Sequence, residues 1–175
     1  QYDDNNNEST LPSLRIGIVG AGSIAFGTAS LAASLGHDPM IWSPSGEGTR
    51  ELVEVATTEQ TGPQKDDLIG IISKVQSTGE LSHDFNVRIA RSSREMVQFC
   101  DGVLIFALPV NGHKYVLEKL APDIIDFIIE QQQQQEADGG DAEAVMMHII
   151  ISSHASLGAV YLMQLLREER RKVCN

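Results

Sequence analysis

The hydrophobic residues of this chain fall in short, nearly continuous runs that are separated by polar stretches. The first run, LRIGIVG at residues 14–20, is rich in β-branched side chains. A continuous apolar run is typical of a strand buried on both faces, as in a parallel sheet. The small and apolar residues 23–35 that follow predict a helix packed closely on that strand, with Gly36 ending it.

The same pattern then begins again. HDPMIW at residues 37–42 predicts a second strand, which is followed by the turn-forming residues SPSGEGT and a short helix in TRELVEVA. A strand, a helix and a second strand in this order are typical of a right-handed βαβ unit.

The remaining segments predict four more strands and three more helices. The strands are expected in IISKVQS, FNVRIA, DGVLIFALP and VMMHIIISS, and the helices in SSREMVQF, NGHKYVLEKLAPDIIDFII and SLGAVYLMQLLREERRKV. Ser92 or Ser93 can cap the first of these helices, and the second is expected to kink at Pro122. This order of elements predicts an α/β fold with a doubly wound, mostly parallel sheet and helices on both faces.

Two polar segments lie outside this pattern. Residues 1–13 (QYDDNNNESTLPS) predict a disordered tail, and the low-complexity residues at about 130–143 predict an exposed, Gln-rich insertion in a loop. The folded domain is therefore expected to span residues 14–175.

Composition and charge exclude several classes of protein. A length of 175 residues suits one domain, and a net charge of −11 argues against non-specific binding to nucleic acid or to an anionic membrane. The sequence contains no run of about 18 apolar residues that would predict a membrane span. Cys100 and Cys174 are far apart and lie outside any metal-ligand spacing, so neither a disulfide framework nor a metal site is predicted. A reducing, cytoplasmic location is expected.

The strongest motif has the form G-x-G-x-x-A and lies between the first predicted strand and the first predicted helix. It consists of Gly20, Ala21, Gly22, Ser23, Ile24 and Ala25. The first glycine permits a tight turn, the second lets the backbone approach a pyrophosphate, and the alanine lets the helix lie close to the strand. A helix N-terminus also offers N–H groups to phosphate oxygens. The context predicts a Rossmann-like fold that binds a dinucleotide.

The end of the second predicted strand indicates which dinucleotide is bound. An acidic residue there accepts hydrogen bonds from the ribose 2′-hydroxyl of NAD, but Ser43 occupies this place. Ser43 and Ser45 can donate to a 2′-phosphate, and Arg50 can pair with it. NADP(H) is the expected cofactor, with NAD(H) as the alternative because Glu47 can serve the ribose.

Loops after two later strands are expected near the same ligand. Leu108, Pro109 and His113 follow the strand VLIFA, and His113 is a candidate for contact with the nicotinamide or a substrate. The alternative for His113 is a polar residue in the first turn of a helix. Residues 152–156 (SSHAS) follow the last strand, where Ser156 is expected to cap a helix. No catalytic residue is assigned.

Residues 14–162 resemble the amino-terminal part of the opine dehydrogenases, in particular the octopine and nopaline synthase group. That group has a G-A-G-N-x-A turn, a Leu-Gly after the first helix and a second strand ending in Trp-Ala-Pro. Here the corresponding residues are Gly20 to Ala25, Leu35 with Gly36, and Trp42-Ser43-Pro44. The pieces GELSHDFNVRIA, VLIFALPVNGHKYVLEKLAP and HIIISSHASLGAVYL follow in the family's order. Ser23 departs from the usual Asn, and Ser43 from the usual Ala.

The resemblance implies a domain that binds NAD(P)H for the reductive condensation of an amino acid with a 2-oxo acid. In the family, a second, largely helical domain supplies the acid–base residues and most of the substrate pocket. We expect that domain to be absent here, so this chain alone is expected to be inactive. Binding of the amino acid and the 2-oxo acid is expected only when the second domain is present. Alternatives are a non-catalytic dinucleotide-binding or regulatory module, or the cofactor domain of a glycerol-3-phosphate dehydrogenase or ketopantoate reductase relative.

Overall fold

Strands and helices alternate through the part of the chain that the computed structural model describes. That part comprises residues 12–59, 70–78, 82–137, 145–151 and 158–173, without the side chains of 56–59. The strands are β1 (Arg15–Val19), β2 (Asp38–Trp42), β3 (Ile71–Gln76), β4 (Asp84–Ala90), β5 (Val103–Phe106) and β6 (His148–Ile151). The helices are α1 (Ser23–Ser34), α2 (Arg50–Glu59), α3 (Ser93–Phe99), α4 (Val110–Ala137) and α5 (Gly158–Val173). A short 3-10 turn, Glu47–Thr49, precedes α2.

The strands form one sheet in the order β3-β4-β2-β1-β5-β6. All neighbouring pairs are parallel except β3 and β4, which form an antiparallel pair at one edge. The chain builds outward from β1 through β2 and β4, and then returns to the other side of β1 with β5 and β6. This arrangement confirms the predicted α/β, doubly wound, mostly parallel sheet.

Alternation along β1 places its side chains in two separate cores. Ile16 and Ile18 pack in a cluster with Ala25 and Ala29 of α1 on one face of the sheet. Val19 belongs to the cluster on the other face, which includes residues of α3, α4 and α5. Helices therefore cover both faces, as the sequence predicted.

The amino ends of the parallel strands carry a network of charged residues. Asp101, just before β5, accepts hydrogen bonds from the backbone N–H of Arg15 at 2.8 Å and from its Nε at 2.9 Å. Arg88 donates from Nε to Asp38 at 2.9 Å. The guanidinium carbons of both arginines lie over the ring of Phe99, 5.6 and 5.4 Å from its centre. This network joins Arg15 at the amino end of β1, Asp38 at the amino end of β2 and Asp101 just before β5 to Arg88 within β4.

The long helix α4 differs from the expected loop in the Gln-rich segment. It continues through Pro122 and on to Ala137, so residues 130–137 are helical. Glutamine, glutamate and alanine are good helix formers, and polar side chains are tolerated on an exposed helical surface. Arg94 of α3 forms an ion pair with Asp126 at 3.5 Å and another with Glu130, which holds this part of α4 against the domain. Residues 138–143 lie outside the described residues.

The expected disordered tail falls mostly outside the described residues. Residues 12 and 13 are described, and the Ser13 hydroxyl donates to the carbonyl oxygen of Gly36 at 2.7 Å. Next to it, the N–H of Leu14 donates to Nδ1 of His37 at 3.2 Å. Ser13 therefore belongs to the folded part of the chain, although the sequence predicted it as the last residue of the disordered tail.

Candidate functional site

Three loops meet at the carboxyl ends of β1, β2 and β5. The N–H of Gly20 donates to the carbonyl oxygen of Trp42, and the N–H of Ala107 donates to that of Val19, both at 2.9 Å. These bonds join the loops after the three strands at the point where the strand order reverses around β1. In open α/β sheets, ligands bind in the crevice at such a point.

The turn after β1 requires glycine at position 20. Gly20 has a φ of 127°, which side-chain-bearing residues rarely adopt. A Cβ placed on it would lie 2.4 Å from the carbonyl oxygen of Ala107. The first glycine of the motif therefore allows the tight turn and the close approach of β5.

Gly22 has a different environment. It is the N-cap of α1 with φ −93° and ψ −178°, a conformation that any residue can adopt. A Cβ built on Gly22 would meet no atom of the described residues within 4 Å. Neither the packing around this position nor its backbone angles therefore require a glycine.

The first turn of α1 is suited to an anion. No side chain caps Gly22, and no acidic residue occupies the first turn. Ser23 and Ile24 are exposed, while Ala25 is fully buried against the sheet. The first turn of α1 therefore has no carboxylate of its own that would repel an anion from its N–H groups and from the positive end of the helix dipole.

The loop after β2 lies against the glycine turn. A Cβ on Gly48 would stand 2.6 Å from the Cβ of Ala21 and 3.1 Å from its carbonyl oxygen. Thr49 beside it is buried and donates its hydroxyl to the carbonyl oxygen of Gly46 at 3.3 Å. The two loops that the sequence assigns to pyrophosphate and ribose are therefore in direct contact.

A cavity of about 880 Å³ opens beside this loop, between the carboxyl ends of β2 and β4. Its lining includes the sequence-predicted residues Ser43, Ser45 and Arg50. Arg50 also lines a neighbouring cavity, where its guanidinium forms an ion pair with Glu47. The structure thus brings the three residues expected near the 2′ position to one cavity.

Sequence analysis missed the other side of this cavity. Arg91, Ser92 and Ser93 in the β4–α3 loop line it, together with Lys119 of α4. Their position follows from the pairing of β4 with β2. The sequence does indicate that this loop follows a strand. It does not reveal that this strand lies beside β2.

His113, the candidate for contact with the nicotinamide or a substrate, has a buried ring. Its side chain is 4% exposed, and Nε2 lies 3.1 Å from the carbonyl oxygen of Leu108, to which it donates. The ring also meets Phe106 edge-on at 6.4 Å between centres. These contacts give His113 a role in holding the turn between β5 and α4. Leu108 is half-buried and Pro109 exposed in that turn, while residues 152–156 lie outside the described residues.

Within the described ranges, no cluster of three or more His, Cys, Asp or Glu side chains is arranged to hold a metal ion. Of the helices described, none has the length and apolar character needed to cross a membrane.

No protein-family model matches this chain, and no curated protein matches it. Solved structures similar to it include a reductive aminase from Aspergillus terreus in complex with NADPH and ethyl levulinate. That match has 15% identity and a TM-score of 0.45, and it covers 90% of this chain and 38% of the other. An imine reductase from Aspergillus terreus, bound to NADPH4 and a dibenzazepine, matches with 14% identity and a TM-score of 0.45. That match covers 91% of this chain and 39% of the other.

A lactate dehydrogenase from a Medee basin deep-sea metagenome library matches with 10% identity and a TM-score of 0.42, over 90% of this chain and 43% of the other. This chain thus spans less than half the length of each of these proteins. Likeness at this level says nothing about the function of the chain, which has to be inferred from its own residues.

Proposed function

We propose that this chain binds a nicotinamide dinucleotide at the carboxyl ends of β1 and β2, as the cofactor-binding domain of an oxidoreductase. The observation that carries the proposal is the space at Gly22. Its backbone angles do not need glycine, and an added Cβ would meet no atom of the described residues within 4 Å, so the position leaves room for a ligand to approach the backbone.

The surrounding groups suit a pyrophosphate. The first turn of α1 has no acidic residue and no side-chain cap, so its N–H groups are available to phosphate oxygens. Gly20, Ala21, Gly22, Ser23, Ile24 and Ala25 are the residues proposed to hold this group. The chain as a whole carries a charge of −11, which makes a local, backbone-based anion site the expected solution.

NADP(H) is the proposed cofactor in preference to NAD(H). No carboxylate occupies the end of β2, where Ser43 stands, and Ser43, Ser45 and Arg50 line one cavity. Hydroxyl and guanidinium groups bind a 2′-phosphate well. Glu47, which would favour NAD(H), has its carboxylate paired with Arg50. When bound, the nicotinamide would supply hydride transfer.

The finer proposal is an opine dehydrogenase-like oxidoreductase, which reduces the condensation product of an amino acid and a 2-oxo acid. It rests on the resemblance of residues 14–162 to that family. Leu108 and Pro109 are proposed to lie beside the cofactor after β5. In that family a second domain supplies the acid–base residues, so the role proposed for residues 14–162 is cofactor binding.

Fluorescence titration of the chain with NADPH and NADH tests the proposal. We expect saturable binding of both, with NADPH bound more tightly. Absence of saturable binding of either dinucleotide would refute the proposed function, and tighter binding of NADH would refute the cofactor preference. NADPH oxidation that requires both an amino acid and pyruvate would support the finer proposal.

A further inference from the structure

The cavity at the ends of β2 and β4 concentrates positive charge in an acidic protein. Among the described residues, Arg50, Arg91 and Lys119 line it, against one carboxylate, Glu54. The chain as a whole carries a charge of −11. A cluster of cations in a concave site raises the local concentration of anions, and the arrangement therefore points to an anionic ligand group.

Two of the three cations are engaged by neighbours. Arg50 forms an ion pair with Glu47, which lines the adjacent cavity and not this one. The ammonium of Lys119 lies over the ring of Tyr115, 4.5 Å from its centre. An anion in the cavity would have to compete with both contacts.

Arg91 is held differently. Its backbone N–H donates to Oε2 of Glu95 at 2.6 Å, and the other oxygen of Glu95 accepts from the N–H of Gly70 at 2.8 Å. The loop is further fixed by Ser92, whose hydroxyl caps α3 by accepting from the N–H of Glu95 at 3.1 Å. The backbone at the end of β4 is thus anchored on two sides.

The guanidinium of Arg91 is held less firmly than its backbone. Its side chain is 69% exposed, and its ion-pair contact with Glu95 is long, 4.0 Å from Nη1 to Oε1. At that separation the Glu95 carboxylate competes weakly for the guanidinium. Arg91 combines a fixed backbone with a cationic group that can turn toward a ligand in the cavity.

We infer that Arg91 is the residue that distinguishes NADP(H) from NAD(H), by pairing its guanidinium with the 2′-phosphate. The inference rests on the proposed function and adds to it a residue from the loop after β4, which the sequence pattern did not connect with the cofactor. A guanidinium can donate two parallel hydrogen bonds to a phosphate, whereas the unphosphorylated ribose of NAD(H) offers it no charge. Arg50 then has a secondary role, because Glu47 holds it.

The test compares NADPH and NADH binding by the whole chain and by Arg91→Gln, since the two ligands differ only in the 2′-phosphate. We expect Arg91→Gln to weaken NADPH binding about tenfold and to leave NADH binding within about twofold. Arg94→Gln is the matched control, because Arg94 lies three residues further on, pairs with Asp126 and Glu130, and does not line the cavity. It should change neither affinity.

The outcomes separate this inference from the proposed function. If the unaltered chain binds neither dinucleotide, both fail. If it binds NADPH and Arg91→Gln leaves that binding unchanged, or weakens NADPH and NADH equally, only the role of Arg91 fails. Retention of NADH binding also shows that Arg91→Gln is folded, and the circular dichroism spectrum checks this independently.

Discussion

Gly48 lies against Ala21 so closely that an added Cβ would stand 2.6 Å from the Ala21 Cβ. The contact joins the loop after β2 to the glycine turn after β1. Atoms that close cannot be separated by rotating a flexible side chain, because Ala21 offers only its Cβ and backbone. The position of one loop is therefore set by the other.

Gly48→Ala should consequently weaken binding of both dinucleotides. The new methyl group must displace the glycine turn, and overpacking of this kind costs about 1–3 kcal/mol. We expect several-fold weaker binding of NADPH and of NADH, with a lower melting temperature. Titration and thermal unfolding of the same sample measure both effects. An unchanged affinity for both ligands would mean that the two loops move independently.

Gly22→Ala should weaken binding without harming the fold. The Cβ meets no protein atom, and the backbone angles of Gly22 suit alanine, so the melting temperature should stay within a few degrees. The methyl group would occupy the space proposed for the pyrophosphate, so NADPH and NADH should both bind at least about tenfold more weakly.

Gly27→Ala provides the control for that substitution. Gly27 lies on the same helix, and a Cβ there also meets no atom within 4 Å. Alanine in a helix interior is favoured over glycine by about 1 kcal/mol, so this variant should be slightly more stable and should bind normally. Equal binding by the variants at positions 22 and 27 would contradict the proposed site.

The Arg15–Asp101 pair should make stability depend on pH. The side-chain hydrogen bond from Arg15 lowers the pKa of Asp101 below its usual range. A carboxyl whose pKa is lower in the folded state stabilises the fold above its unfolded pKa of about 3.9, and this contribution is lost as the pH falls through the folded value. Asp101→Asn should therefore destabilise the chain at neutral pH, by about 1 kcal/mol for a partly exposed pair.

Urea unfolding at pH 7 and at successively lower pH measures this difference. The deficit of Asp101→Asn should shrink as the pH falls below about 5 and approach zero in acid. Asp84→Asn is a useful comparison, because the Asp84–Lys74 pair is more exposed and should show a smaller deficit. A deficit that stays constant with pH would show that Asp101 acts through its hydrogen bonds and not through its charge.

His113→Ala should reduce stability more than cofactor binding. The substitution removes a buried ring and leaves the carbonyl oxygen of Leu108 without its imidazole donor, a loss of about 1–3 kcal/mol from the hydrogen bond alone. We expect a clearly lower urea midpoint, with NADPH affinity within about threefold at a temperature where the variant is folded. Loss of NADPH binding by a fully folded variant would restore His113 to the cofactor site.

Local patterns predicted the elements and the glycine turn, because both depend on neighbouring residues. The run of residues 14–20, the small residues of α1 and the cap at Ser92 each act over a few positions, and the structure has the expected elements at each place. The cavity depends on which strands are neighbours. Arg91 reaches it because β4 pairs with β2, and no local pattern carries that information.

Two other differences have a similar origin. His113 follows a strand whose carboxyl end points toward the crevice, but its own ring turns inward against Phe106, which depends on packing and not on sequence position. The Gln-rich residues 130–137 have the composition of a solvated loop, yet they continue a helix that has already begun. Once a helix has formed, each added residue extends it at little cost, whereas starting one is unfavourable.

The charged network around Phe99 lies at the amino ends of the strands, and the glycine turn lies at their carboxyl ends. The length of the strands thus separates residues that hold the sheet together from residues that meet a ligand. Substitutions of Arg15, Asp38 or Asp101 are therefore expected to change the melting temperature of the domain more than its affinity for a dinucleotide. The opposite ends of one sheet can therefore be engineered, or can diverge in evolution, as two independent traits.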